Sequence, residues 1–263
     1  MAEYSFSALS HGIAALSFFL LAALLGKGYL RRNTDRTLFV ATLVSIAWAS
    51  SIATQALWSV PPFIFRYVLE LVRDALWIMV LFALIKDSAH HGLVPHDIHR
   101  WLSALLLLVI GLLLGTGVAE LTLNALILDG KPKLVGQIAV SLLGLVLLEQ
   151  LWRNASLYGR SSVKYLCLGI GALFGYDFFL YSDALLFGQM SQPLWEARGA
   201  VNALIVPLLA TTLINARKQP LELQLSRHVV FHAGTLFLAG AYLLIVAAGG
   251  YYVRAIGGTW GEA

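Results

Sequence analysis

The chain has 263 residues, of which 59% are hydrophobic and only 12% are charged, with a formal net charge of +4 and a mean hydropathy of +0.78. Soluble domains carry about 25% charged residues, so this composition excludes a soluble globular domain. The small positive charge indicates loop orientation rather than binding to nucleic acid, and the single cysteine, Cys167, excludes an intrachain disulfide.

Apolar runs of spanning length follow one another along the whole chain, separated by short polar or turn-forming segments such as RRNTDR, SVPP, LDGKPK and NARKQP. A helix satisfies its backbone hydrogen bonds internally, which a segment in hydrocarbon requires. The sequence therefore predicts an all-α fold, a polytopic transmembrane bundle of about eight spans in one module covering residues 1–263. The predicted spans are 8–25, 38–58, 65–85, 101–118, 134–151, 165–187, 197–214 and 229–252.

The placement of basic residues predicts the orientation of these spans. Most of the 18 lysines and arginines fall in alternate loops, among them Arg31, Arg32, Lys86 and Arg217. The positive-inside rule puts those loops in the cytoplasm, so both termini are expected outside. The first ten residues contain no basic residue, which favours an outward N-terminus over a cleavable signal peptide.

Ionisable side chains inside apolar spans indicate a site, because each costs about 2.5–3.5 kcal/mol on insertion scales and is expected to face the bundle interior with a partner. On the third span, residues spaced i, i+3 and i+4 share one helical face. The sixth and seventh spans carry further acidic and basic residues in the same predicted outer half. The candidate site residues are Glu70, Arg73, Asp74, Asp177, Tyr181, Asp183, Arg198 and Asn202.

Two interpretations of this cluster stay open. One is a salt-bridge network that only fixes helix packing, and the other is a pocket that senses a ligand or a proton. Both require that Arg73 or Arg198 lies within salt-bridge distance of Asp74, Asp177 or Asp183, because an unpaired charge in hydrocarbon is too costly to persist.

Other motifs carry less information. His90, His91, His96 and His99 crowd one loop without the ligand spacing of a metal site, so we expect no metal and no cofactor. No nucleotide-binding, nucleophile-elbow or zinc-protease motif is present, so no catalytic residue is assigned. Gly171 and Gly175 have the GxxxG spacing of packed transmembrane helices.

Several strings in the chain resemble one bacterial family, and they lie mainly in its second half. They are ELVRDALW (70–77), EQLWRN (149–154), KYLCLGIGALFGYDFFLYSDALLF (164–187), ARGAVNALIVPLLA (197–210), SRHVVFHAGTLFLAGAYLL (226–244) and GYYVRAIGGTWG (250–261). These segments are similar to the N-terminal membrane region of PrsK-type sensor histidine kinases, which belong to the PEP-CTERM/exosortase system of exopolysaccharide-making bacteria.

The resemblance implies a sensory module in the bacterial inner membrane, acting with downstream kinase domains, a cognate response regulator and a second copy of itself in a homodimer. Family members continue into a further span, a phospho-accepting domain and an ATP-binding domain, so the resemblance does not make this chain itself a kinase. The residues alone leave a sensor, a transporter or a membrane-embedded enzyme open. The alternatives to the sensory module are a transporter of small solutes or protons that uses Asp74 and Asp177, and a structural anchor.

Overall fold

The computed structural model describes residues 2–26, 33–58, 60, 62–88, 96–123, 130–154 and 157–218, and these residues form helices and no strand. The seven helices of this part of the chain are α1 (Ala2–Gly26), α2 (Asn33–Trp58), α3 (Phe63–Ser88), α4 (His96–Leu123), α5 (Lys131–Asn154), α6 (Leu157–Phe187) and α7 (Gln192–Lys218). The all-α prediction is confirmed for these residues. The predicted eighth span, 229–252, lies outside them.

Five of these helices are long and apolar enough to cross a membrane, over Phe6–Gly26, Asp35–Trp58, Lys131–Arg153, Val163–Phe187 and Gln192–Ile214. The other two differ for physical reasons. Helix α3 has 26 residues and several charges in its middle, and the apolar part of α4 is shorter, Leu106–Glu120. Each helix extends at one or both ends past its predicted span, because polar residues continue the helix beyond the apolar run.

The helices pack as a ring in which α1 contacts both α2 and α7, and the contacts continue from α2 to α3, from α3 to α5, from α5 to α6 and from α6 to α7. Helix α4 packs on α3 and α5. The outer surface of this ring is apolar, with large exposed side chains such as Leu16, Phe19, Leu107 and Leu204. A surface of this kind suits lipid rather than water, so the described helices form a membrane protein.

Helices α1 and α7 approach each other closely at Gly199. A Cβ placed there would lie 2.6 Å from the backbone nitrogen of His11 and from the carbonyl carbon of Ser10. The Ser10 hydroxyl also donates a hydrogen bond of 2.7 Å to the carbonyl oxygen of Glu196. Glycine is therefore required at this crossing, as small residues are at close contacts between membrane helices.

The glycines predict opposite effects of a single added methyl group. We expect Gly199→Ala to lower the free energy of unfolding by about 1–3 kcal/mol, since it forces backbone atoms apart. Gly175→Ala is the matched control, because no atom of a neighbouring segment lies within 4 Å of its added Cβ and alanine is the better helix former. Thermal unfolding of the purified protein in detergent, followed by tryptophan fluorescence, measures both. Equal effects of the two variants would contradict this account of the α1–α7 crossing.

Candidate functional site

Five charged side chains converge in the buried centre of the bundle, and we call them the ion network. Glu70, Arg73 and Asp74 lie on α3, Asp177 on α6 and Arg198 on α7. Each is 4% exposed or less. The helical spacing of 70, 73 and 74 turns these three side chains of α3 toward one face, and their charge explains why that face is directed inward.

Asp177 is the centre of the ion network. Its Oδ2 lies 2.6 Å from Nη2 of Arg73, and its Oδ1 lies 2.6 Å from Nε of Arg198. One carboxylate of α6 therefore joins the guanidinium of α3 to that of α7. The predicted pairing of an arginine with a buried aspartate is confirmed. Hydrogen bonds between ionised partners are shorter and stronger than neutral ones, so this contact fixes three helices relative to one another.

The remaining two carboxylates lie on opposite sides of this centre. Asp74 Oδ1 is 2.8 Å from Nη2 of Arg73, and Glu70 Oε1 is 2.5 Å from Nη1 of Arg198. The second pair is close in charge but is not aligned as a hydrogen bond, since Arg198 Nη1 and Nη2 have no hydrogen-bond partner. The ion network thus contains three carboxylates and two guanidiniums, an excess of one negative charge when all are ionised.

An aromatic ring supports both guanidiniums. Arg73 Cζ lies 3.9 Å and Arg198 Cζ 4.9 Å from the centroid of the Trp48 ring on α2. His11 of α1 meets the same ring edge-on, with centroids 5.7 Å apart. Cation–π contacts of this kind are worth most when desolvated. Trp48 and His11 therefore complete the site. Neither was predicted from the sequence, because a tryptophan or a histidine in an apolar run gives no sign that it will face a charged group.

The other three predicted site residues differ in their relation to the ion network. The Tyr181 hydroxyl donates a hydrogen bond to Glu70. Asn202 is buried on α7 and donates to the Arg198 carbonyl oxygen at 2.9 Å. Asp183 is half-buried, and none of the ion pairs found among the described residues includes it.

The two glycines of the predicted GxxxG pair differ in their surroundings. A Cβ at Gly171 would meet Leu148 at 3.0 Å, whereas one at Gly175 would meet no described atom within 4 Å.

A cavity of about 810 Å³ opens at the end of the bundle where α3, α5 and α7 begin and α4 and α6 end. We call it the end cavity. Glu70 and Tyr181 form its inner part, with Gln137 of α5 one turn deeper than Lys133. Its outer part has Phe63 and Arg66 of α3, Lys133 of α5, Glu120 of α4 and Trp195 of α7. Sequence reasoning predicted Glu70 and Tyr181 here, but not Arg66, Lys133 or Gln137.

No group of three or more histidine, cysteine, aspartate or glutamate side chains within the described ranges is arranged to hold a metal. Of the histidines in the predicted loop, His96 and His99 lie in the first turns of α4. His90 and His91 lie outside the described residues.

The ion network predicts unequal effects for two aspartates of α6. Asp177→Asn removes the charge that joins two guanidiniums, and breaking a buried pair by removing one partner costs about 3–5 kcal/mol. Asp183→Asn is the matched control, six residues away on the same helix, and should change the free energy of unfolding by less than about 0.5 kcal/mol. Chemical unfolding in mixed micelles measures both. A loss of similar size for the two variants would contradict the central position of Asp177.

Comparisons of the chain with protein-family models, with curated proteins and with solved structures find no match.

Proposed function

We propose that this chain is a membrane-embedded sensory module, in which a ligand in the end cavity changes the ion network and thereby the packing of α3, α6 and α7. One observation carries the proposal. Glu70 and Tyr181 line the end cavity and also belong to, or bond directly to, the ion network. A molecule in the cavity touches the same atoms that hold three helices together.

The physical basis of such coupling is differential binding. A ligand shifts a conformational equilibrium only as far as it binds one state better than the other. A polar group that competes for the Tyr181 hydroxyl or for Glu70 alters the pair formed with Arg198. Because Arg198 also holds Asp177, the change reaches α6 and α7 together. Packed cores have discrete arrangements, so a small change at one end is passed on as a helix shift.

The partner in this proposal comes from the family resemblance. The chain would be the input part of a PrsK-type sensor histidine kinase in the bacterial inner membrane. It would act as a homodimer on a downstream kinase that phosphorylates a response regulator. The end cavity would face the outside, because the proposed topology has eight spans with both termini outside.

This topology makes the first prediction of the proposal. Paired reporters of cytoplasmic and periplasmic location, fused at successive positions, should place the segment 90–99 in the cytoplasm and the segment 128–133 outside. The expected pattern follows from the basic residues in alternate loops. A fusion after Ala263 that reports a cytoplasmic location would require an odd number of crossings and would contradict the eight-span topology.

Coupling through Tyr181 makes the second prediction. In membranes that contain the complete kinase of which this chain would be the input part, Tyr181→Phe should shift autophosphorylation, normalised to folded protein, by about ten- to hundredfold. The reason is that a hydrogen bond to a charged group contributes about 1.5–3 kcal/mol, and only one end state need contain it.

Tyr176→Phe is the control for that measurement. Its hydroxyl lies on the same helix as that of Tyr181 and donates to the Leu194 carbonyl oxygen of α7 at 2.5 Å, but its side chain does not line the end cavity. Normalised output should stay close to that of the parent. If Tyr181→Phe and Tyr176→Phe behave alike, the link between the end cavity and the ion network is not the route of signalling.

A second candidate function is favoured by the charge imbalance. Three carboxylates against two guanidiniums leave room for one proton, and a proton-coupled transporter needs a carboxylate of this kind. Asp74 suits that role better than Asp177, since within the described part of the chain its ion pair is with Arg73 only, whereas Asp177 binds two arginines. Uptake into sealed proteoliposomes distinguishes the functions, because a sensory module moves no solute.

A further inference from the structure

We propose that the end cavity binds a small organic monoanion, whose carboxylate lies on Arg66 and whose second polar group, an amide or a hydroxyl, bonds Gln137. This inference rests on the proposed function in that it uses the same cavity, and it names the chemical class of the ligand. It is carried by two side chains whose hydrogen-bonding capacity the described residues leave partly or wholly unused.

Arg66 is the first of these side chains. Its guanidinium lies between two aromatic rings, with Cζ 5.1 Å from the centroids of both Phe63 and Trp195. Its one hydrogen bond to another described residue, from Nη1 at 2.5 Å, goes to the neutral side-chain oxygen of Gln55. A guanidinium presents five N–H donors in a planar fork that matches a carboxylate. Among the described residues no carboxylate forms an ion pair with it, so a ligand can supply one.

The other charges of the end cavity are already compensated within the protein. Lys133 forms an ion pair with Glu120, and Glu70 is held by Arg198 and by the Tyr181 hydroxyl. Among the described lining residues, Arg66 is the one charged side chain whose hydrogen bond goes to a neutral partner, and Glu70 one helical turn away offsets its charge only through space. A single carboxylate on Arg66 is therefore favoured over a cation or a dianion.

Gln137 is the second unused group. It lines the end cavity, is 3% exposed, and finds no hydrogen-bond partner among the described residues at either Oε1 or Nε2. A buried amide left unsatisfied costs about 1–3 kcal/mol, so such a group is normally paired. Because it needs both a donor and an acceptor, its natural partner is an amide, a hydroxyl or another group that supplies both.

The walls between these two groups accept an apolar body. Phe63 and Tyr67 stack with centroids 6.0 Å apart, Trp195 lies across the outer part, and the volume of about 810 Å³ is that of a site for a ligand of drug size. The two polar anchors lie at different depths, since Arg66 is one turn outward of Glu70 on α3 and Gln137 is one turn inward of Lys133 on α5. The ligand class is therefore an aromatic or alkyl monocarboxylate with an internal amide or hydroxyl.

The test is direct binding to the purified full chain in nanodiscs made of neutral phosphatidylcholine. The probes are N-acetylphenylalanine, N-acetylleucine and 3-hydroxydecanoate, each paired with its uncharged primary amide. Isothermal calorimetry and the shift of the thermal unfolding midpoint report binding. At least one carboxylate should bind, and its neutral amide should bind about ten- to hundredfold more weakly, as expected for the loss of a charged hydrogen-bonded pair.

Variants identify the anchors. Arg66→Gln should weaken the carboxylate to the level of its amide, and Gln137→Leu should weaken carboxylate and amide alike. Lys164→Gln is the control, because this exposed lysine lies at the opposite end of α6 and packs on Tyr165. Midpoints measured without probe separate a binding defect from loss of folding, and Arg66→Lys, which keeps the charge but not the planar fork, gives a second folded variant of the same site.

Three results would overturn the proposal. The first is a carboxylate probe that binds no better than its amide. The second is a carboxylate that binds the unsubstituted protein and Arg66→Gln with equal affinity, and the third is the absence of binding by every probe. An anionic lipid headgroup presents similar chemistry, so phosphatidylglycerol is titrated into the same nanodiscs. Binding of that lipid alone would assign the site to lipid and overturn a soluble ligand. These binding measurements involve no kinase, and autophosphorylation is measured separately. A ligand that binds but does not change autophosphorylation would reject the proposed function and leave this inference standing.

Discussion

The constraint on which the rest of the structure depends is that charges buried in a membrane bundle must be paired. Each of the five charged side chains of the ion network would cost about 2.5–3.5 kcal/mol as an isolated insertion, so they are stable only together. Asp177 joins Arg73 to Arg198, and these two arginines hold the outer carboxylates. The positions of α3, α6 and α7 are thereby tied to one another, and Trp48 adds α2 through its contact with both guanidiniums. Apolar packing alone would not fix this register, because lipid is as apolar as a leucine side chain.

The same constraint gives the bundle two unlike ends. Away from the end cavity, the interior is filled by apolar side chains such as Leu81, Leu84, Leu147 and Leu151. Toward the end cavity, polar groups continue outward from the ion network through Tyr181 and Glu70 to the cavity lining. A molecule at that end would meet hydrogen-bonding groups that connect to the ion network, whereas the described interior at the other end is packed hydrocarbon. For the proposed sensory module, this distribution of polar residues favours the end cavity as the place where a ligand enters.

The sequence predicted those features whose free-energy cost can be recognised along the chain, without knowing which residues come together in the fold. Apolar runs of spanning length predicted the described helices, and the cost of charge in hydrocarbon predicted that Arg73 or Arg198 would pair with Asp74, Asp177 or Asp183. Asp183 shows the limit of this reasoning. It lies six residues from Asp177, which at 100° per residue turns it about 120° away around α6, while Tyr181 at four residues stays on the same side. Trp48 and Gly199 could not be predicted, since an aromatic ring or a glycine in an apolar run looks alike wherever it faces. Gln137 and Arg66 matter only because of what surrounds them in three dimensions.

The excess negative charge of the ion network connects ligand binding at Arg66 with the proposed change in helix packing. Arg66 lies one helical turn outward of Glu70 on α3, and its positive charge partly offsets the third carboxylate of the ion network. A monoanion that pairs with Arg66 would neutralise this cation and leave the excess negative charge of the ion network less compensated. In a low-dielectric interior such a change is worth far more than it would be in water. Under the proposals made above, a ligand would therefore act on the ion network through its charge even where it does not touch Glu70. The packing of α3 against α6 and α7 would respond to the charge state of the end cavity.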